Sequence, residues 1–214
     1  MQLHTTNGAP NGRKVAAVIE HLHLDVEFVY HDLFAGALQR PEYLTINANS
    51  KVPALVDGDF VLWESNAIMQ YLADKAGDER LLPRDARARA DVTRWQLWES
   101  AHFNAAFGAL AFETFAKPRV VGSAPDETIV AVAMSNLARF AAVLERYIEG
   151  RRFLVGTGLT LADYAVLTFE EYRGLTPFDW SPFPQVNAYF DRLRELPAWI
   201  RTSSKRAPSD TKAA

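Results

Sequence analysis

Residues Asn47–Leu72 read NANSKVPALVDGDFVLWESNAIMQYL. Val52-Pro53 opens a short apolar run, Ala54-Leu55-Val56. Asp57-Gly58-Asp59 then reverses the chain, because Asp-Gly between two apolar runs is a strong hairpin signal. Phe60-Val61-Leu62-Trp63 is the return strand. Ser65 stands where a helix N-cap belongs, and Ile68, Met69 and Leu72 follow at helical spacing. The stretch therefore reads as loop, proline, strand, turn, strand, helix. Two readings of Ser65 stay open from pattern alone. It caps its own helix, or it holds an anion where free N–H groups and the helix dipole favour negative charge. Pro53, just before a strand, is a candidate for a cis bond, although such bonds are a minority.

SKVPALVDGDFVLWESNAIMQYL resembles the second half of the glutathione-binding domain of cytosolic glutathione transferases. Strand lengths, turn and helix match in order. The resemblance implies a cis Pro53, with Val52 pairing by backbone to the cysteinyl part of glutathione. It also implies that Glu64 and Ser65 hold the γ-glutamyl end. Lys51 matches a basic position beside the proline, where it would pair with the glycyl carboxylate or simply be solvated. Gln39 and Arg40 are vaguer candidates for the same end.

Upstream, Met1–Thr6 reads as a strand and Asn7-Gly8-Ala9-Pro10-Asn11-Gly12 as a turn-rich loop. Arg13–Leu22 is a predicted helix with Val15, Val18, Ile19 and Leu22 on one face. Val26–Tyr30 alternates as a strand. This βαβ unit implies a right-handed crossover and a parallel pair. A thiolate at the start of the helix would be stabilised by the dipole and local donors, and glutathione sulfur must ionise near neutral pH to act. Many family members place a tyrosine or serine here, and this loop has neither. Ala9-Pro10-Asn11-Gly12-Arg13-Lys14-Val15 resembles the TPNG-K segment of bacterial nu-class transferases and their fungal nitrogen-regulator relatives. There the asparagine contacts the sulfur, a role that falls on Asn11; the alternative is that Asn11 caps the helix. Ala9 replaces the threonine of that pattern and removes one polar contact. Asn7 and Thr6 are weaker candidates.

Composition narrows the classes. The chain has 214 residues, 49% hydrophobic and 23% charged, an ordinary globular balance. A net charge of -3 gives no basic footprint for nucleic acid. There is no cysteine, so disulfides, thiolate metal sites and a cysteine nucleophile are excluded. Sulfur chemistry must come from a bound thiol. The histidines at 4, 21, 23, 31 and 102 make no metal-ligand spacing. No run of about 18 apolar residues suggests a membrane span. The start carries no signal-peptide pattern, and a cytoplasmic location is the expectation.

Gly77 suits a helix end, Pro83 breaks any continuation, and residues 79–85 read as a linker. From Ala86 the periodicity is helical throughout. The expected architecture, implied by the resemblance over about residues 1–200, is α/β plus all-α. A thioredoxin-like βαβαββα domain at 1–78 precedes an all-helical domain at 86–200. Ala86–Phe115 is one long helix or a kinked pair, dense in aromatics and ended by Lys117-Pro118. Trp98 and His102, four apart, share a face. Together with Asn7 they are candidates for an electrophile pocket, against a plainer role in core or subunit contact. Asp126–Ile148 is a second long helix. Thr160 and Asp163 are spaced as a capping box, which resembles the start of the family's sixth helix and implies that Asp163 is a folding element and not a catalytic acid. Ala162–Tyr172 and Phe183–Leu196 are further helices, and Pro197 starts a last one. Arg201–Ala214 is polar, too poor in apolar residues to pack, and is expected to be a mobile tail.

The resemblance implies a homodimeric glutathione transferase. Bound glutathione, a co-substrate and not a cofactor, would attack a hydrophobic electrophile as its thiolate. Three alternatives share these residues: a glutathione-dependent disulfide reductase or peroxidase, a non-catalytic glutathione-binding module, and a thioredoxin-like scaffold without glutathione. Val52-Pro53 with Glu64-Ser65 argues against the last.

Overall fold

The computed structural model describes residues 1–203. They form two compact units, one of residues 1–79 together with the segment after Arg194, the other of residues 80–194.

In the first unit, β1 (Gln2–Thr5), α1 (Pro10–His21) and β2 (Glu27–Tyr30) are followed by a 3-10 turn at Ala37–Gln39 and the short α2 (Pro41–Leu44). Then come β3 (Ala54–Asp57), β4 (Phe60–Trp63) and α3 (Ser65–Ala76). The sheet order is β2-β1-β3-β4. β1 runs parallel to β2, as the βαβ reading requires, and antiparallel to β3. β3 and β4 form the expected hairpin, with Asp57 opposite Phe60 and Gly58 at φ 63° in the reversal. Lys75 and Tyr71 of α3 both donate to Asp57, tying hairpin to helix and holding that carboxyl below its ordinary range. Leu3, Val15, Val18, Leu55, Ile68, Met69 and Leu72 are fully buried. Each such aliphatic side chain contributes about 1.5–3 kcal/mol by leaving water.

Two boundaries differ from the sequence reading, and both bear on the site. α1 starts at Pro10, three residues early, because proline is pre-organised for a first helical turn. Asn11 therefore lies inside the helix. The N-cap is Ala9, which has no side chain to do the work. Likewise the N-cap of α3 is Glu64, not Ser65; a backbone at φ 72°, ψ 110° swings the chain into the helix one residue sooner.

The second unit is helical. α4 (Ala86–Trp98) continues through a π-helical turn (Glu99–Phe103) into α5 (Asn104–Ala111). A second π turn (Phe112–Ala116) leads into α6 (Lys117–Val120). Pro118 does not end this run, because it sits in the first turn of α6 where its missing N–H is not needed. Buried Glu113 bonds Lys117 and the Asp126 N–H, both at 2.7 Å, fastening the run to the start of α7 (Glu127–Ile148). α7 is long and apolar enough, by length and composition, to cross a membrane, although no 18-residue apolar run marks it. Its stripe Ala133, Leu137, Ala141, Leu144 and Ile148 is buried, and it packs on α5 and on α9 (Pro184–Leu193). Ile129 and Val132 on another face stay exposed.

α8 (Leu161–Val166) passes into a 3-10 turn at Leu167–Tyr172, so the helix expected over 162–172 changes form midway. The capping box is present. Asp163 is fully buried and accepts four hydrogen bonds. Its Oδ1 takes the Leu154 N–H (2.9 Å) and the Tyr189 hydroxyl (2.8 Å). Its Oδ2 takes the Thr160 N–H (2.9 Å) and hydroxyl (3.1 Å). Burial outweighs these bonds and pushes the carboxyl above its ordinary range.

After Arg194 the chain returns to the first unit. α10 (Pro197–Arg201) packs on α1. The Arg13 guanidinium lies 3.9 Å from the Trp199 ring centre and donates to the Trp199 carbonyl at 3.0 Å. Arg201 meets Glu20 at 2.7 Å, so the expected free tail does not begin at Arg201. Beyond Ser203 that expectation lies outside the described residues.

Candidate functional site

The first turn of α1 brings Asn11 beside β1. A Cβ at position 12 would meet the Thr5 hydroxyl, so any residue but glycine would force the Thr5 side chain to shift. This close approach sets Asn11 at a helix end whose first bond runs from the Arg13 N–H to the Ala9 carbonyl at 2.9 Å. The N–H groups ahead of that bond lie at the positive end of the dipole.

α3 presents a second such end. Its first bond is from the Ile68 N–H to the Glu64 carbonyl at 3.0 Å, and buried Ser65 is its first helical residue. Ser65 Oγ donates to Asn11 Oδ1 at 3.5 Å, the outer limit for such a bond. Two candidates 54 residues apart are thus in contact, and the Nδ2 group is what Asn11 has left to offer a ligand. Glu64 is exposed, and its positive φ is a conformation that costs a residue with a Cβ about 1–3 kcal/mol.

The Val52–Pro53 peptide is cis, as the resemblance implies. Pro53 is buried, Val52 half-buried and the Lys51 side chain exposed. Sequence reasoning missed two residues here. The Lys51 carbonyl accepts both the Tyr43 hydroxyl at 2.6 Å and Asn47 Nδ2 at 2.8 Å. Asn47 had a readable signal, since asparagine often bonds nearby backbone in loops. Tyr43 had none.

Of the weaker candidates, Thr6 is buried and its hydroxyl has no partner among the described residues. Asn7 is exposed in the loop before α1. Gln39 and Arg40 are exposed beside α2. In the second unit, half-buried Trp98 stacks on Phe103 at 5.4 Å, and exposed His102 stacks on Phe140 at 5.1 Å. His102 also lines a groove of about 440 Å³ between α5 and α7, with Ala105, Ile129, Val132 and Asn136. Trp98 and His102 thus share Phe140, which Trp98 meets edge-on at 6.2 Å. Among the described residues no group of three or more His, Asp or Glu side chains is placed to hold a metal ion.

The family model for the glutathione S-transferase N-terminal domain matches residues 1–74, and that for the C-terminal domain matches residues 103–197. The chain is 36% identical over 199 residues to glutathione S-transferase 3 of Zea mays, covering 91% of this chain and 89% of that one. It is 30% identical over 196 residues to the disulfide-bond oxidoreductase YfcG of Escherichia coli, covering 88% of each. A solved structure of the transferase URE2P6 from Phanerochaete chrysosporium with oxidised glutathione superposes at a TM-score of 0.85 with 28% identity, covering 96% of this chain and 95% of that one. Plant enzymes stand among these relatives beside bacterial and fungal proteins, which leaves the family broader than the bacterial nu class its Asn-Gly segment suggested. With both domain models matched in order and the α1 and α3 ends joined, the chain belongs to the glutathione S-transferase family.

Proposed function

We propose that this protein is a glutathione transferase in which bound glutathione, ionised at the start of α1, attacks an electrophilic carbon. The observation that carries the reading is the Ser65–Asn11 contact. It supports reading the α3 end as the holder of the γ-glutamyl carboxylate, beside the asparagine that would meet the sulfur. Ser65 and Glu64 hold the γ-glutamyl end, the Val52 backbone pairs with the cysteinyl part, and Lys51 faces the glycyl carboxylate. Asn11 Nδ2 and the N–H groups of α1 stabilise the thiolate; the sulfur–carbon bond forms as the leaving group departs. Trp98, His102 and Asn7 are the proposed contacts of a hydrophobic electrophile.

The test is the ultraviolet absorbance of the bound thiolate, titrated with pH. A thiol pKa well below that of free glutathione, returned toward it by Asn11→Ala, supports the reading. An unshifted pKa refutes the activation and favours a binding module, in keeping with the absent hydroxyl at Ala9.

A second reading, glutathione-dependent disulfide reduction, has specific support. One bacterial relative is a disulfide-bond oxidoreductase, and one fungal neighbour holds oxidised glutathione. With no protein cysteine, two glutathione molecules would supply both thiols. Parallel assays with an aryl halide and with a small mixed disulfide separate the two. The Pro10-Asn11-Gly12 segment supports the nu-class placement.

We also infer a cytoplasmic homodimer. The support is the family resemblance and the exposed apolar face of α7, with Ile129 and Val132 beside the groove. The reading assigns that face to a second subunit and not to a membrane. Light scattering would show twice the mass of 24.0 kDa, and a monomer would overturn it.

A further inference from the structure

The Lys51 carbonyl receives two side-chain donors, and it directly precedes Val52, whose backbone the proposed function assigns to glutathione. Tyr43 approaches it from α2 and Asn47 from the loop after it, at 2.6 and 2.8 Å. Asn47 is itself fixed, since its Oδ1 accepts the Asn49 N–H and Nδ2, both at 3.0 Å. Tyr43 is 2% exposed. Its ring stands edge-on to His31 at 4.7 Å, and His31 in turn stacks on His4 at 5.2 Å. Ser50 adds a bond to the Leu38 carbonyl at 2.8 Å. Val52, one residue further on, makes no backbone hydrogen bond to the described residues. Its orientation is inherited from the peptide behind it.

We propose that Tyr43 and Asn47 are positioning residues for glutathione: by clamping the Lys51 carbonyl they fix the plane of the Lys51–Val52 peptide, so that Val52 presents its backbone to the cysteinyl part of the ligand. This rests on the glutathione reading of Val52. Carbonyl and following N–H belong to one planar peptide, so holding the oxygen sets the direction of the Val52 N–H. Burial pushes the Tyr43 hydroxyl up to about 12, so it stays a donor throughout the working pH range. Pre-organisation of this kind acts on affinity, because an unclamped peptide must be ordered by the ligand.

The test is Tyr43→Phe, which removes one donor and keeps the ring against His31. Glutathione and S-methylglutathione are titrated calorimetrically into the wild type and the variant. Both ligands should bind about 3- to 10-fold more weakly, the range given by one lost neutral hydrogen bond. The KM for glutathione should rise by the same factor, with kcat at saturation and the bound thiol pKa unchanged. Asn47→Asp, which keeps the acceptor for Asn49 and loses the donor, should weaken both ligands likewise. Equal binding by wild type and Tyr43→Phe overturns the clamp alone, as does a lowered Tm with unchanged affinity. A wild type that binds neither ligand overturns the clamp together with the glutathione reading on which it stands.

Discussion

Replacing Asp163 by alanine removes one acceptor from four donors in a site with no water access. The Leu154 amide, the Thr160 amide and the Tyr189 hydroxyl would remain buried and unpaired, while the Thr160 hydroxyl can turn away. An orphaned buried donor costs about 1–3 kcal/mol. Three of them, less some relaxation and less the relief of a carboxylate that burial disfavours, give about 3–5 kcal/mol. That is a large share of a total stability of about 5–15 kcal/mol. At about 2–4 °C per kcal/mol for a chain of this size, the Tm should fall by about 6–20 °C. Asp163→Asn, which keeps one acceptor oxygen, should lose about half as much. The assay is a thermal melt followed by circular dichroism, with glutathione binding measured well below the transition. Binding per folded molecule should match wild type. A Tm within about 2 °C of wild type together with lost turnover would refute the reasoning and make Asp163 a catalytic group.

Three further outcomes follow from the site. Glu64→Gly should raise stability by about 1 kcal/mol, as glycine relieves the positive φ at a smaller entropic cost, while glutathione binds at least about 10-fold more weakly through the lost carboxylate; urea melts and calorimetry would show the two moving in opposite directions, and a loss of both would contradict the account. Ala9→Thr should supply the missing cap, worth about 0.5–2 kcal/mol, and lower the bound thiol pKa; a spectrum unchanged in the titration would deny Ala9 any part in thiol activation. Burial lowers the pKa of His4, with help from its neighbour His31 and against Glu27, and burial lowers that of His31 too. Below about pH 6.5 the unfolded chain gains protons that the folded one refuses, so stability is lost as pH falls from there through the depressed folded values. Tm measured between pH 7.5 and 5.5 should drop, and His31→Phe should flatten the slope.

The hairpin and the helix after it were legible because each rests on local chemistry: Asp-Gly for the reversal, short apolar runs for the strands, and Ile68, Met69 and Leu72 for the helix. The Thr160–Asp163 cap was legible for the same reason. Sequence reasoning erred by one to three residues at the starts of α1 and α3, and those errors sit on the site itself. At Glu64 the chain adopts a backbone that residues with a Cβ normally avoid, which no propensity foretells. At Pro10 the helix begins without the capping side chain that usually marks a start. The Ser65–Asn11 contact and the two donors on Lys51 come from tertiary packing between segments that do not signal one another. The long helix passes Pro118 because a new helical segment starts at Lys117 after a π turn, a change of winding that periodicity does not reveal.

Because Trp199 and Arg201 close over α1, the unit holding Asn11, Val52 and Ser65 is not complete when its own first 79 residues leave the ribosome. Some 115 residues of the second unit must be made before α10 appears. At about 5–20 residues per second that is a wait of about 6–23 s. During that interval the face of α1 destined for Trp199 lacks its cover. The proposed glutathione site depends on the last helix among the described residues, and a chain cut short after Arg194 would carry every proposed glutathione contact yet lack the piece that steadies the helix bearing Asn11.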